Sequence, residues 1–278
     1  MFFRGVHVVA DKMFGKMKWY GEFFRKRQER KECKESTGFF DKNQEVIAKN
    51  MAQLYDEESK KIYSGMIKYR MTRKDEDFPG CDDDQYFPKV VKDAFTNDMT
   101  FIDCGGFDGD TTTEFIKLVN GEYVGIVVFE PDEGLQERLH RNLESFHDVV
   151  INQKGVWDKD ATLEFDMLSN GSSTVVENSG KMNSKTIKIA VTSIDQCPEC
   201  KDASFIKMDL EGSEWKALHG AENTIKRNHP ILAVCIYHSN EDFVRIQPYL
   251  HELVPEYHFF VRQYAYNNTS ETVLYAIP

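Results

Sequence analysis

The chain has 278 residues, 41% hydrophobic, 13% aromatic and 29% charged, with a net charge of −11. This length and apolar content suit one large domain or a domain with an extension, and they exclude a stapled mini-protein, a collagenous repeat and wholesale disorder. The acidic balance disfavours non-specific nucleic-acid binding, because a phosphate backbone selects surfaces rich in lysine and arginine.

The first 35 residues depart from that balance, carrying ten Lys/Arg against five Asp/Glu. Phe14, Met17, Tyr20 and Phe24 recur at spacings of three and four among basic residues. The pattern predicts a basic amphipathic helix within residues 11–35, packed on the domain with a solvated basic face or lying against a membrane surface or a partner. The opening MFFRGVHVVADK breaks its apolar stretch with Arg4 and His7 and has no small-residue cleavage site. No run approaches the roughly 18 consecutive apolar residues of a membrane span, so a cytoplasmic protein is expected. The six cysteines are scattered, and Cys197-Pro198-Glu199-Cys200 is a lone C-x-x-C without the second ligand pair of a structural zinc site. No metal site is expected. Residues 44–72 continue helical, with Val46, Ile47, Met51 and Leu54, then Ile62, Met66, Ile67 and Met71, and the acidic, Pro-Gly-containing stretch from Arg73 to Asp84 reads as a loop. Residues 1–95 are thus expected to be a helical N-terminal extension, and residues 96–278 the main domain.

From Met99 the chain alternates β-rich runs with helical ones. Thr100 to Asp103 predicts a strand, Thr111 to Glu114 a capping box opening a helix, and Tyr123 to Phe129 a strand covered on both faces. Pro131 suits the first turn of a helix carrying Leu135, Leu139 and Leu143. Further strands are expected at Val149 to Asn152, Ser204 to Met208 and Ile231 to Tyr237, with one helix carrying Trp215, Leu218, Ala221 and Ile225 before the last of them. Such alternation predicts a parallel, doubly wound α/β sheet. Two strand-like runs between Leu163 and Val191 have no helix between them and suggest an inserted β-hairpin. The ending, His258 to Arg262 and then Thr272 to Ala276 across Asn267-Asn268-Thr269-Ser270, predicts an antiparallel pair.

Ligands of open α/β sheets bind at the carboxyl ends of the strands. After the first strand stands Asp103-Cys104-Gly105-Gly106-Phe107-Asp108-Gly109-Asp110-Thr111, a glycine turn leading into a helix. Its glycines permit a tight turn close to a ligand, the helix start offers free N–H groups to an anion, and Asp103 offers the opposite charge. A group bearing both ammonium and carboxylate, such as the methionine part of S-adenosylmethionine, suits that combination better than a pyrophosphate does. Glu130, directly after the second strand, can accept two ribose hydroxyls. Dinucleotide-binding enzymes share such an acid but prefer G-x-G-x-x-G, and here Phe107 occupies the place of the second glycine. At the fourth strand, Lys207, Asp209 and Glu211 crowd one strand-to-helix turn, where charges are costly unless paired or used. His238 follows the fifth strand on the same rim.

These segments, together with Phe129-Glu130-Pro131-Asp132, Thr192-Ser193-Ile194-Asp195, the run Phe205-Ile206-Lys207-Met208-Asp209-Leu210-Glu211-Gly212-Ser213-Glu214 and Leu218-His219-Gly220-Ala221, resemble the FkbM family of class I S-adenosylmethionine-dependent methyltransferases from about Met99 to the C-terminus. The resemblance implies a Rossmann-like class I methyltransferase fold with a mostly parallel seven-stranded sheet and an antiparallel C-terminal strand. It implies O-methyl transfer from S-adenosyl-L-methionine to a hydroxyl of a sugar, glycan or secondary metabolite. Asp103, Gly105 and Gly109 would then hold the methionine end, Glu130 the ribose, and Val156 within Gly155-Val156-Trp157-Asp158 the adenine side, with Gly106, Phe107, Thr111, Pro131 and Asp209 also binding the cofactor. Because a hydroxyl is a poor nucleophile while protonated, a general base is expected; His238 is the first candidate, with Asp209 and Glu211 the alternative pair and Lys207 their neighbour. An NAD(P)-dependent oxidoreductase and a non-catalytic cofactor-binding module are the competing readings.

Overall fold

The computed structural model describes residues 25–167, 173–175 and 186–278. The predicted amphipathic stripe from Phe14 to Phe24 lies outside these residues, and the chain is helical over residues 25–42 (α1). Two further helices, α2 (Gln44–Gln53) and α3 (Glu57–Thr72), replace the single helical run expected over 44–72. The break has a local cause: Leu54 leaves the helix with an extended backbone, and the Asp56 side chain accepts the Ser59 N–H at 2.7 Å to cap the next one. A short α4 (Lys89–Lys92) follows the acidic loop.

The main domain runs β1 (Thr100–Cys104), α5 (Asp110–Leu118), β2 (Gly125–Phe129), α6 (Glu133–Leu143), β3 (Val149–Asn152), β4 (Gly155–Val156), β5 (Ala161–Met167), β6 (Ser173–Val175), β7 (Thr186–Thr192), β8 (Phe205–Met208), α7 (Glu214–His219), α8 (Glu222–Asn228), β9 (Ile231–Cys235), α9 (Asn240–Leu253), β10 (His258–Gln263) and β11 (Thr272–Ile277). Seven strands form one sheet in the order β10-β11-β9-β8-β1-β2-β3, in which only β11 runs against its neighbours. The fold is therefore α/β with a mostly parallel seven-stranded sheet. Between β3 and β8 the expected hairpin is the β5–β7 antiparallel pair, but it is part of a four-stranded sheet, because β7 also pairs in parallel with β4 and β5 with β6.

Strand alternation sends Ile102, Val127, Ile206 and Val234 to one face, where they meet Phe40, Leu54, Tyr63 and Met66 of the N-terminal helices and Leu218, Ile225 and Phe243 of α7 to α9. Phe101, Val128, Phe205 and Tyr275 point to the other face, against Phe115, Leu139, Phe87 and Tyr86. The N-terminal helices thus share one core with the sheet. They also cover its outer strand: Tyr55 N–H donates to Phe259 O of β10 at 2.9 Å, and buried Arg262 of β10 pairs with Asp56 at 2.7 Å.

Three local expectations are corrected. The capping box at Thr111 is not formed, because α5 starts one residue earlier, after Gly109 at φ 85°, and Thr111 is already inside the helix. Pro131 precedes α6, whose cap is Asp132, accepting the Gly134 N–H at 2.7 Å. The helix expected over 215–225 is two helices, parted at Gly220, where any Cβ would stand 2.0 Å from Trp157 O.

Candidate active site

The carboxyl edge of the sheet divides into two halves. In the first, β1 delivers Asp103 fully buried and in register with Lys207 of the adjacent β8. Parallel neighbours in register point to the same face, so the two charges meet: Lys207 Nζ lies 3.1 Å from Asp103 Oδ1 and donates to Gly105 O at 2.6 Å, while Thr112 Oγ1 donates to Asp103 Oδ2 at 2.8 Å. Burial works against the Lys207 ammonium, but Asp103 and Asp209 outweigh it and hold its pKa above the ordinary lysine value.

The glycine turn fits this crowding. Gly105 sits at φ 87°, and a Cβ there would fall 2.0 Å from Asp209 O; at Gly106 it would fall 2.1 Å from Val128 Cγ1. Both N–H groups donate to Phe129 O, at 2.9 and 3.0 Å. Phe107, at φ 47° and with its ring exposed, donates its N–H to Glu130 Oε2 at 2.9 Å, and Asp132 N–H donates to Glu130 Oε1 at 2.8 Å. Burial raises the Glu130 pKa and the two amides oppose the rise. Glu130 is thus clamped in one orientation, with a lone pair left on each oxygen for an incoming donor. Gly109 serves packing, since a Cβ would stand 3.1 Å from Leu139 and Leu143. Thr111 lines a cavity of about 420 Å³ together with Gln85, Tyr86 and Asp110. Pro131 is half-buried, its ring 4.0 Å from where a Cβ of Gly155 would stand. Val156, in contrast, is buried in the core, so its side chain is spent on packing and Pro131 and Gly155 are the surfaces beside Glu130.

In the second half, Asp209 directly follows β8, and a tight turn runs through Glu211 (φ 52°) and Gly212 (φ 94°) into α7. Asp209 accepts Tyr86 Oη–H at Oδ2 (2.7 Å) and Tyr237 Oη–H at Oδ1 (3.2 Å). His238 leaves β9 facing three carboxylates: its Nδ1 is 3.1 Å from Glu214 Oε1, and its Nε2 is 3.8 Å from Asp209 Oδ1 and 3.7 Å from Glu211 Oε2. Burial lowers the imidazole pKa, but Glu214, Asp209 and Glu211 together outweigh it and hold it above the ordinary value. Glu214 is fully buried; its Oε1 accepts the Leu210 N–H at 2.6 Å and faces His238 Nδ1, while its Oε2 has no hydrogen-bond partner among the described residues.

The structure therefore brings Lys207, Asp209, Glu211 and His238 together, next to Asp103 and Gly105. It adds Tyr86, Tyr237 and Glu214. Tyr86 comes from the N-terminal extension, its ring 5.0 Å below the Lys207 ammonium, and no spacing in the sequence links it to Asp209. Glu214 was legible as the last acid of the K-x-D-x-E-G-x-E run, but not as the partner of His238.

A mostly parallel seven-stranded sheet with one reversed strand, a glycine turn after β1, an acid closing β2 and a charged rim at β8 and β9 define the Rossmann-like methyltransferases as a class. The chain belongs to the FkbM methyltransferase family: the methyltransferase FkbM domain matches residues 103–268. Among solved structures, the methyltransferase FkbM of Methylobacillus flagellatus KT is similar at a TM-score of 0.69 and 20% identity, over 86% of this chain and 60% of that one. This chain thus spans about 60% of that neighbour's length. An rRNA methylase from Streptococcus thermophilus matches at a TM-score of 0.41 and 11% identity, over 66% of this chain and 89% of that one. No curated protein matches the sequence.

Proposed function

We propose that this methyltransferase carries a methyl group from S-adenosyl-L-methionine to a hydroxyl of a small molecule, sugar or glycan. The observation that supports it most is the division of the sheet edge into a half whose carboxylates, Asp103 and Glu130, are held by their own scaffold, and an adjoining half where three carboxylates crowd one histidine. The first half suits a cofactor. Glu130, clamped by two amides, presents its remaining lone pairs to a ribose diol. The cofactor supplies a methyl group on a cationic sulfur, which an oxygen displaces in line.

What remains for the protein is to place the acceptor oxygen and to take its proton, and positioning supplies much of the rate. The rim of Asp209, Glu211 and His238 lies next to the fixed half and performs that task. Tyr86 and Tyr237 hold Asp209 from either side, so the extension expected over residues 1–95 contributes, through Tyr86, a wall of the acceptor site to the domain of residues 96–278. The described residues contain no helix long and apolar enough to cross a membrane. All six cysteines are free thiols, in keeping with a cytoplasmic location. The acidic net charge speaks for an acceptor other than a nucleic acid. The test is methyl transfer from labelled S-adenosylmethionine to a panel of glycosides and polyols, with the product bond identified by mass spectrometry. A labelled methyl ether is the expected product; label on nitrogen or carbon contradicts the acceptor assignment.

A further inference from the structure

Charge counting at the rim leaves a deficit. Three carboxylates, Asp209, Glu211 and Glu214, face the single imidazole of His238; the Lys207 ammonium is ion-paired with Asp103 and donates to Gly105 O, and Asp209 is held by Tyr86 and Tyr237. A protonated imidazole neutralises one of the three. Glu211 is exposed and solvated, but Glu214 has no exposed surface and keeps one oxygen without a hydrogen-bond partner among the described residues. A buried carboxylate in that condition is costly unless a cation answers it. Ligand atoms of Asp209, Glu214 and His238 lie within 4.8 Å of one another, a separation that a modest contraction brings to a shared ion.

We propose that Asp209, Glu214 and His238 bind one divalent first-row metal ion. Two carboxylate oxygens and one imidazole nitrogen form a mixed hard and borderline donor set suited to Mn²⁺ or Zn²⁺. The ion neutralises two carboxylates at once, one of them the buried Glu214 whose Oε2 has no other partner among the described residues. Three protein ligands leave coordination positions open. The inference rests on the rim being the acceptor site of the proposed methyl transfer, and there the ion changes the expected part of His238 from free base to ligand. An acceptor hydroxyl entering an open position loses its proton more readily. The O–H bond breaks and the proton leaves to Glu211 or water; the oxygen lone pair then forms the C–O bond as the S–C bond breaks, and the products are the methyl ether, the thioether and one proton. The sequence hid this cluster, because its ligands are spaced by five and twenty-four residues and converge only through the β8–β9 pairing.

The test is titration of the metal-stripped full chain with Mn²⁺, followed by electron paramagnetic resonance, and with Zn²⁺, followed by calorimetry, both without cofactor or acceptor. One ion per chain is expected, with affinity weakened at least tenfold in Glu214→Gln and in Asp209→Asn. Glutamine keeps an acceptor for the Leu210 N–H, and circular dichroism verifies that each variant is folded; if one variant does not fold, the other decides. Absence of saturable binding by either ion overturns the proposal, as does tight binding unaltered in the folded variants. Cation binding in a protein that fails to bind S-adenosylmethionine supports the metal site and counts against the methyl-transfer reading; cofactor binding without cation binding does the reverse.

Discussion

The two halves of the sheet edge use the same residue types in opposite ways. Around β1 and β2 the carboxylates are answered by their own scaffold: Asp103 by Lys207 and Thr112, Glu130 by the amides of Phe107 and Asp132. Around β8 and β9 three carboxylates crowd one histidine, and the buried Glu214 keeps one oxygen without a partner among the described residues. A half satisfied in advance holds a ligand in one pose at little cost in reorganisation, whereas a half left short of partners is completed by what binds or reacts there. The difference separates binding from chemistry along a few ångströms of sheet edge.

Breaking the first half should cost stability most. Lys207→Met leaves Asp103 buried and unpaired, and the expected loss is about 3–5 kcal/mol by denaturant unfolding. A loss below about 1 kcal/mol would mean that Asp103 finds another partner. Breaking the second half should cost turnover instead. His238→Ala is expected to lower the rate at saturating cofactor by roughly 10², about 2.7 kcal/mol in the barrier, with cofactor affinity unchanged. A parallel fall in affinity would erase the distinction between the halves. The mildest expected effect sharpens the boundary between them. Tyr86→Phe removes one hydrogen bond to Asp209, worth about 1 kcal/mol, and should appear in acceptor turnover and not in cofactor binding; the comparison of the two readouts is the check.

The first half was largely legible in the sequence because its parts are local. The glycine turn and Glu130 each follow an apolar run, and the acid, the turn and the helix start lie within a few residues of one another. The second half was legible only as a list of charged residues. Which of them meet depends on register: Asp103 opposite Lys207 is a property of the β1–β8 pairing, two strands about a hundred residues apart in the chain. Val156, read onto the adenine side, has its side chain buried in the core, so any part it plays there falls to its backbone. The extension shows a limit of the sequence. Its helices were expected to pack on the domain or to lie against a partner; Phe40 and Tyr63 are buried in the core of the sheet, and Arg70 donates to Tyr237 O at 2.6 Å and so grips the turn that carries His238. Compositional asymmetry marked the segment but said nothing of what its apolar face would cover.

The central claim, that the fixed half binds the cofactor and the open half does not, meets its most direct test in calorimetric titration of the full chain with S-adenosylmethionine. Saturable one-to-one binding is expected, weakened by about 1–3 kcal/mol in Glu130→Ala, where a charged hydrogen-bond acceptor is lost, and unchanged in His238→Ala. Affinity unchanged in Glu130→Ala and reduced in His238→Ala would contradict the account.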